Sequence, residues 1–264
     1  MIKSNLKYIY GPVYSWRMGM SLGIDPITAK KKICNFDCIY CQLGRTTEFY
    51  NERENFVSVD DIMKEINSLP AIDIDYYTFS GRGEPTLALN LGEMIRSVKK
   101  STKGKVAVIT NAANIDQKAV QEDLMLADLV LAKLDACNEE SLKIVDIPGK
   151  GVTFPKIVQG IKDFKRKFKG KLALQIMFIE ENKEHAKAIS DIARDIDADE
   201  IQINTPLRPG GTPLNEKDLI NIKKHFRNLP AMTVYEMERR TVEPFNEKET
   251  ILRHGNFKKK VKVR

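Results

Sequence analysis

Residues 76–134 run YYTFSGRGEPTLALNLGEMIRSVKKSTKGKVAVITNAANIDQKAVQEDLMLADLVLAKL, and the periodicity of this stretch sets the fold class. Three short apolar runs read as strands: 76–80 (YYTFS), 106–110 (VAVIT) and 129–134 (LVLAKL). Between them lie stretches of helical period, around 91–99 and 116–126. The strand runs are nearly continuous in apolar residues rather than alternating. That is the pattern of parallel strands whose two faces are both covered by crossover helices.

The same rhythm extends in both directions. Downstream, helices are expected at 139–145 and 155–168, then a strand at 172–179 (LALQIMFI) and a helix at 184–195. A strand at 200–204 (EIQIN) and a helix at 218–227 follow. Upstream, a strand at 21–24 leads into a cysteine-bearing loop and then a helix at 59–68, with Ser58 as N-cap and Asp60 and Asp61 in its first turn. The count is about six βα units, fewer than the eight of a complete barrel. Residues 1–234 read as one α/β core. Residues 235–264 read as a C-terminal extension, an extra strand followed by a basic tail.

The upstream loop carries the chemistry. Residues 31–46 run KKICNFDCIYCQLGRT, with cysteines spaced as Cys34-x3-Cys38-x2-Cys41. Iron–sulfur clusters are held by cysteine thiolates, and a cubane normally takes four. Three leave one iron without a protein ligand and open to a small molecule. Structural zinc sites pair C-x2-C units, and Cys41 has no such partner downstream and no histidine nearby. A secreted disulfide framework would show an even, dispersed set of cysteines.

The chain has 264 residues, 42% of them hydrophobic, enough for a packed core. No apolar run is long enough to span a membrane. The opening MIKSNLKYIYGPV lacks the apolar centre of a signal peptide. Thiolate ligands require a reducing compartment, so a cytoplasmic protein is expected. The net charge of +7 and pI near 9.1 are compatible with a polyanionic partner such as RNA. Part of that charge lies in one run, Lys162 to Lys171, but it alternates with Ile157, Ile161, Phe164 and Phe168 at helical spacing. That pattern reads as the solvated face of an amphipathic helix. A second cluster, Lys258 to Arg264, ends the chain.

In parallel α/β barrels the chemistry sits at the carboxyl ends of the strands. After the strand at 76–80 comes Ser80-Gly81-Arg82-Gly83-Glu84-Pro85-Thr86, where Gly81 and Gly83 allow positive φ and close backbone approach. The next strands end in Thr110-Asn111 and in Lys133-Leu134-Asp135. Asn111 and Asp135 suit a polar pocket, or helix N-caps. Lys133 could bind an anionic substrate, or form a Schiff base if desolvation lowers its pKa. Gln175 and Met177 share one strand face, as do Gln202 and Asn204. Arg208 could hold a carboxylate or phosphate by its fork of donors, or form a surface ion pair.

The cysteine spacing, with Tyr40 before the third cysteine, resembles the radical S-adenosylmethionine (SAM) superfamily. So does SGRGEP, which is similar to that family's GGEP element with Arg82 in place of the first glycine. The resemblance implies an open, partial (β/α)6 TIM-like barrel. It implies a [4Fe–4S] cluster on Cys34, Cys38 and Cys41, and SAM bound by Tyr40, Gly81, Gly83, Glu84, Asn111 and Asp135. Lys133 and Arg208 would then face the substrate. One electron, from a donor such as a ferredoxin or flavodoxin, would cleave SAM to methionine and a 5′-deoxyadenosyl radical. With YGPV at 10–13, residues 15–25 and IQINTPLRP at 201–209, the set looks like the branch related to the wyosine-base synthases, which modify a guanine in tRNA. Arg17 and Ser21 would sit beside the cluster loop. Those synthases carry a second cysteine trio; only Cys137 remains here, a small filler. The resemblance implies hydrogen abstraction from an unidentified substrate, with a tRNA base, a small metabolite and a protein side chain as the classes to weigh. An iron–sulfur electron carrier or a zinc-stabilised RNA binder is the alternative of another class.

Overall fold

A computed structural model describes residues 6–236 and 240–255. Among the described residues, eight strands form one sheet in chain order: β1 (Ile9–Ser15), β2 (Gly19–Ile24), β3 (Tyr76–Phe79), β4 (Lys105–Thr110), β5 (Leu129–Lys133), β6 (Lys171–Met177), β7 (Glu200–Asn204) and β8 (Ala231–Thr233). β1 pairs antiparallel with β2, and every later pairing is parallel. The crossovers are α1 (Val59–Asn67), α2 (Leu91–Ser101), α3 (Lys118–Leu124), α4 (Glu139–Val145), α5 (Phe154–Lys167), α6 (Ala186–Ile196) and α7 (Glu216–Lys223). Strands β2 to β7, each followed by at least one helix, are the six expected βα units. β1 and β8 are the edges of the sheet and do not pair with each other, so the barrel is open.

Local sequence explains the elements. Ser58 accepts the amide of Asp61 and starts α1 as expected. Asn138 and Ser141 form a reciprocal capping box on α4. α6 buries Ala186, Ile189, Ser190, Ala193 and Ile196 along one face and ends at Asp197 in the left-handed region. The main core lies between the sheet and this helical layer. A separate small cluster of Met18, Ala107, Leu129, Leu131 and Ala173 fills the barrel near the strands' N-terminal ends.

β1 is an addition to the sequence reading. It contains a cis Gly11–Pro12 bond, and its register with β2 shifts between Tyr10 and Val13. Proline has no amide to give a ladder, and an edge strand tolerates that. The extra strand expected after residue 234 is not found among the described residues of the extension; β8, the last strand of the sheet, ends before it at Thr233. The extension itself contains α8 (Glu247–His254), docked on β1. The Phe245 amide donates to the Gly11 carbonyl at 2.7 Å, and the Gly11 amide donates to Thr250 Oγ1 at 2.8 Å. Arg253 Nε donates to Asp25 Oδ2 at 2.7 Å, with both side chains essentially inaccessible. Lys258 to Arg264 lie outside the described residues. Among those described, no helix is long and apolar enough to cross a membrane.

The basic run is the solvated face of α5, as the periodicity suggested. Ile157, Gly160, Ile161 and Phe164 are buried, while Lys162 pairs with Asp195, Lys165 with Asp199 and Arg166 with Asp163. Those carboxylates neutralise much of its charge.

Candidate active site

A cavity of about 540 Å³ opens at the carboxyl ends of the strands. Cys34, Cys38, Cys41, Tyr40, Gly81, Gly83, Glu84, Asn111, Lys133 and Arg208 all line it, joined by Gln175, Met177 and Asn204. Residues up to 174 positions apart in sequence are thus gathered on one wall system. Asp135 is the exception: it stands behind the wall, fully buried.

The cysteine loop is held on two sides. Towards β3, Ile33 forms a parallel bridge with Gly83: the Ile33 amide donates to Arg82 O at 3.1 Å, and the Glu84 amide donates to Ile33 O at 2.9 Å. A Cβ on Gly83 would lie 1.7 Å from that Ile33 carbonyl oxygen, so only glycine allows the approach. Towards α4, the Asp37 and Ile39 amides donate to Asp146 O and Val145 O, each at 3.0 Å. The Phe36 amide points at Cys34 Sγ (3.5 Å), as does Asn111 Nδ2 (3.7 Å).

Three thiols that ligate a cubane bind three different irons, so they ring a space instead of converging on a point. Here all three line one cavity, as that arrangement requires. The donor set fits a cluster better than tetrahedral zinc. Burial pushes the Cys34 thiol up to about 12; burial, then Asp146, holds Cys38 well above the ordinary thiol range. Metal must therefore displace protons from these thiols on binding.

Glu84 fastens the loop after β3 to the end of β4. Its Oε1 accepts from the Thr86 amide (3.0 Å), Thr86 Oγ1 (2.7 Å) and Thr110 Oγ1 (2.7 Å), and its Oε2 from the Asn111 amide (2.7 Å). Burial still raises its pKa, against the pull of those donors. Four donors occupy the carboxylate, so Glu84 shapes the pocket wall through the backbone it holds. Gly81 adopts φ 136°, and a Cβ there would collide with the Asp25 carboxyl. Arg82 turns outward, donating to Lys30 O at 3.0 Å.

Below the third cysteine lies a buried ionic network. Lys133 Nζ sits 2.8 Å from Asp135 Oδ2 and 4.5 Å from the centre of the Tyr40 ring, and donates to the Tyr40 hydroxyl. That hydroxyl donates to Asp135. Asp135 Oδ1 also accepts the Met177 amide at 2.7 Å. Burial opposes the Lys133 charge, but Asp135, Cys38 and Asp146 outweigh it and hold the ammonium above the ordinary lysine range. The lowered pKa that a Schiff-base lysine would need is absent: the carboxylates win over desolvation.

Arg208 is not a surface residue. It is half-buried, with Nη1 donating to Gln42 Oε1 at 3.3 Å and Nη2 lying 2.6 Å from His254 Nε2 on α8. Arg17 also departs from expectation. It precedes the N-terminal end of β2, whereas the cysteine loop leaves the C-terminal end, and its side chain folds into the cavity wall. Ser21 is engaged with Thr78 at 2.8 Å inside the barrel. Cys137 is half-buried beside Ser141 at the start of α4. Arg253 and His254 bring α8 into the cavity wall; from sequence, this Arg253-His254-Gly255 segment reads equally as a cap on the barrel or as an RNA-binding segment.

The family model described as the Radical SAM superfamily matches residues 31–193. A Synechocystis protein described as UPF0026 protein slr1464 is 36% identical over 229 residues, covering 81% of this chain and 86% of that one. A Brachyspira hyodysenteriae protein named GTPase Obg is 38% identical over 233 residues, but this chain spans only 34% of its length. Among solved structures, TYW1 with a lysine-pyruvate adduct bound superposes with a TM-score of 0.63 at 15% identity, covering 79% of this chain and 74% of that one, a likeness of fold. With the cysteine loop, the parallel open barrel and the shared cavity already in place, this chain belongs to the radical SAM superfamily, among its UPF0026 proteins, and is a radical SAM enzyme.

Proposed function

We propose that the enzyme holds a [4Fe–4S] cluster on Cys34, Cys38 and Cys41, binds SAM at the strand ends, and removes hydrogen from a substrate in the same cavity. The observation that carries this reading is that the three thiols and the polar strand ends open into one space. When bound, the reduced cluster supplies the electron that splits SAM into methionine and a 5′-deoxyadenosyl radical. The chain's own part is positioning and exclusion of water. Gly83 and Glu84 fix the loop after β3 against the cysteine loop, presenting backbone groups to the methionine end. Asn111 steers Cys34 and faces the cofactor. Tyr40 offers a ring at the cavity wall, its orientation set by its hydrogen bond to Asp135, which supports it from behind without facing the cavity. Lys133 and Arg208 are the cations that meet the substrate.

A tRNA base is the substrate class to test first, supported by kinship with the wyosine-base synthases and by the net charge of +7. A ferredoxin or flavodoxin suits the role of electron donor, and a reducing cytoplasm suits the thiols. The TYW1 structure carries a lysine-pyruvate adduct. In this chain the carboxylates around Lys133 favour a cation over an amine nucleophile there.

The test is 5′-deoxyadenosine formation by the anaerobically reconstituted, reduced enzyme with SAM, with and without total RNA from its host. Stimulation by RNA supports the tRNA reading. Turnover that RNA leaves unchanged moves the search to metabolites and proteins. No deoxyadenosine from a protein with an intact cluster overturns the proposal.

A further inference from the structure

The hairpin turn between β1 and β2 carries Arg17 into the cavity wall. Its Nε and Nη1 are buried and have no hydrogen-bond partner among the described residues. Guanidinium nitrogens removed from water and left without a hydrogen bond are costly, and buried charges are ordinarily paired. A cation kept in this condition at the edge of a cavity is complementary to something that enters the cavity.

The groups around Arg17 define what that is. Its Cζ lies 5.6 Å from the Trp16 ring centre. Glu200 is the carboxylate that attracts it, but Lys171 and Gln202 already engage the two Glu200 oxygens. Arg208 lines the same cavity and is close enough for the two cations to oppose each other. Burial brings Arg17 down to about 10; burial, then Arg17, brings Arg208 down to about 10, and both remain charged at neutral pH. His254, against Arg208, is pushed down to about 2 by burial and by both arginines, so it contributes a neutral ring.

We propose that Arg17 and Arg208 form a phosphate subsite, so that the substrate of this enzyme carries a phosphate group. Two guanidinium charges match that of a phosphate, which carries about −1.5 to −2 near neutral pH, and the Nε–Nη1 edge of Arg17 supplies a fork of donors for its acceptor oxygens. The carboxylate of SAM is a poorer match, being a single charge accompanied by its own ammonium and sulfonium. The assignment of the phosphate to a substrate rests on the radical reading above; the subsite itself rests on Arg17.

The experiment is calorimetric titration of the full, cluster-loaded chain with inorganic phosphate, in the absence and presence of saturating SAM. Phosphate is expected to bind in both conditions. Arg17→Met is expected to weaken it by roughly tenfold or more, the loss of a charge-assisted forked contact. Without phosphate, Arg17→Met should melt no lower than the wild type, because it removes an unpaired buried charge. Failure of the wild type to bind phosphate, equal affinity in Arg17→Met, or displacement of phosphate by SAM would overturn the inference. A lowered melting temperature in Arg17→Met with unchanged phosphate affinity would make Arg17 a structural residue and overturn it as well. Deoxyadenosine formation, followed in the same preparations, reports on the radical reading separately: its absence beside intact phosphate binding sinks that reading and leaves the subsite standing.

Discussion

Arg253→Ala isolates the contact that joins the C-terminal helix to the strand leading into the cysteine loop. The Arg253 side chain is 1% exposed and that of Asp25 is fully buried. Besides Asp25, the guanidinium serves Glu249, the Lys7 carbonyl (2.5 Å) and Thr28 Oγ1 (3.3 Å). Truncation leaves Asp25 in the interior with the Ile27 amide but no cation. Removing one partner of a buried pair costs about 3–5 kcal/mol. At about 2–4 °C per kcal/mol for a chain of this size, melting should fall by roughly 6–20 °C. The pH dependence has a definite sign. Burial raises the Asp25 pKa, and Arg253 pulls it back. A carboxyl raised above its unfolded value favours folding at acid pH, and this contribution is lost as pH rises through the folded value. Without Arg253 the carboxyl rises further, so the deficit should be larger at neutral pH than at mildly acidic pH. Urea denaturation of wild type and variant at the two pH values measures this. A deficit below about 1 kcal/mol, or one independent of pH, would refute the uncompensated-charge argument.

Four other perturbations probe the site. Gly83→Ala should force the loop after β3 off Ile33, losing two backbone hydrogen bonds worth about 1 kcal/mol each and lowering iron content on reconstitution; wild-type iron content and stability would show the bridge to be dispensable. Cys38→Ala should abolish the brown cluster and SAM cleavage together, and intact cleavage would sink the ligand assignment. Borohydride reduction with pyruvate at neutral pH should leave Lys133 unmodified by mass spectrometry, since its ammonium is held by Asp135; an adduct at Lys133 would falsify that account. Lys133→Met should cost about 3–5 kcal/mol by stranding Asp135 and Asp146, and a stable variant would show that the network carries little charge.

The six βα units were legible because each strand is a buried apolar run and each helix an amphipathic one, both local signals. β1 was not, because Gly11–Pro12 reads as a turn and only the neighbouring β2 makes it a strand. β8 has three residues, too few for a periodic signal. In the site, the cysteine loop and strand-end residues were legible from spacing and position. The role of Asp135 was not: its partner Tyr40 lies 95 residues away, and a strand-end aspartate reads the same whether it faces a ligand or props up a wall. Glu84 likewise reads as a free carboxylate until Thr110 and Asn111 are brought against it. Arg253, charged and in a polar segment, reads as solvated. Its burial depends on an acid 228 positions earlier.

That separation has a consequence for how the molecule is made. Chains emerge from synthesis N-terminus first, and contacts distant in sequence form late because the intervening chain must close on itself first. The strand that feeds the cysteine loop emerges well before the arginine that neutralises the aspartate at its end, 228 positions further on. Until Arg253 arrives, Asp25 has no reason to leave water, and the entrance to the cysteine loop has no clasp. Assembly of the metal site is thereby postponed until Arg253 has emerged, so a nascent chain would expose its thiols without yet presenting a formed pocket to receive iron and sulfide.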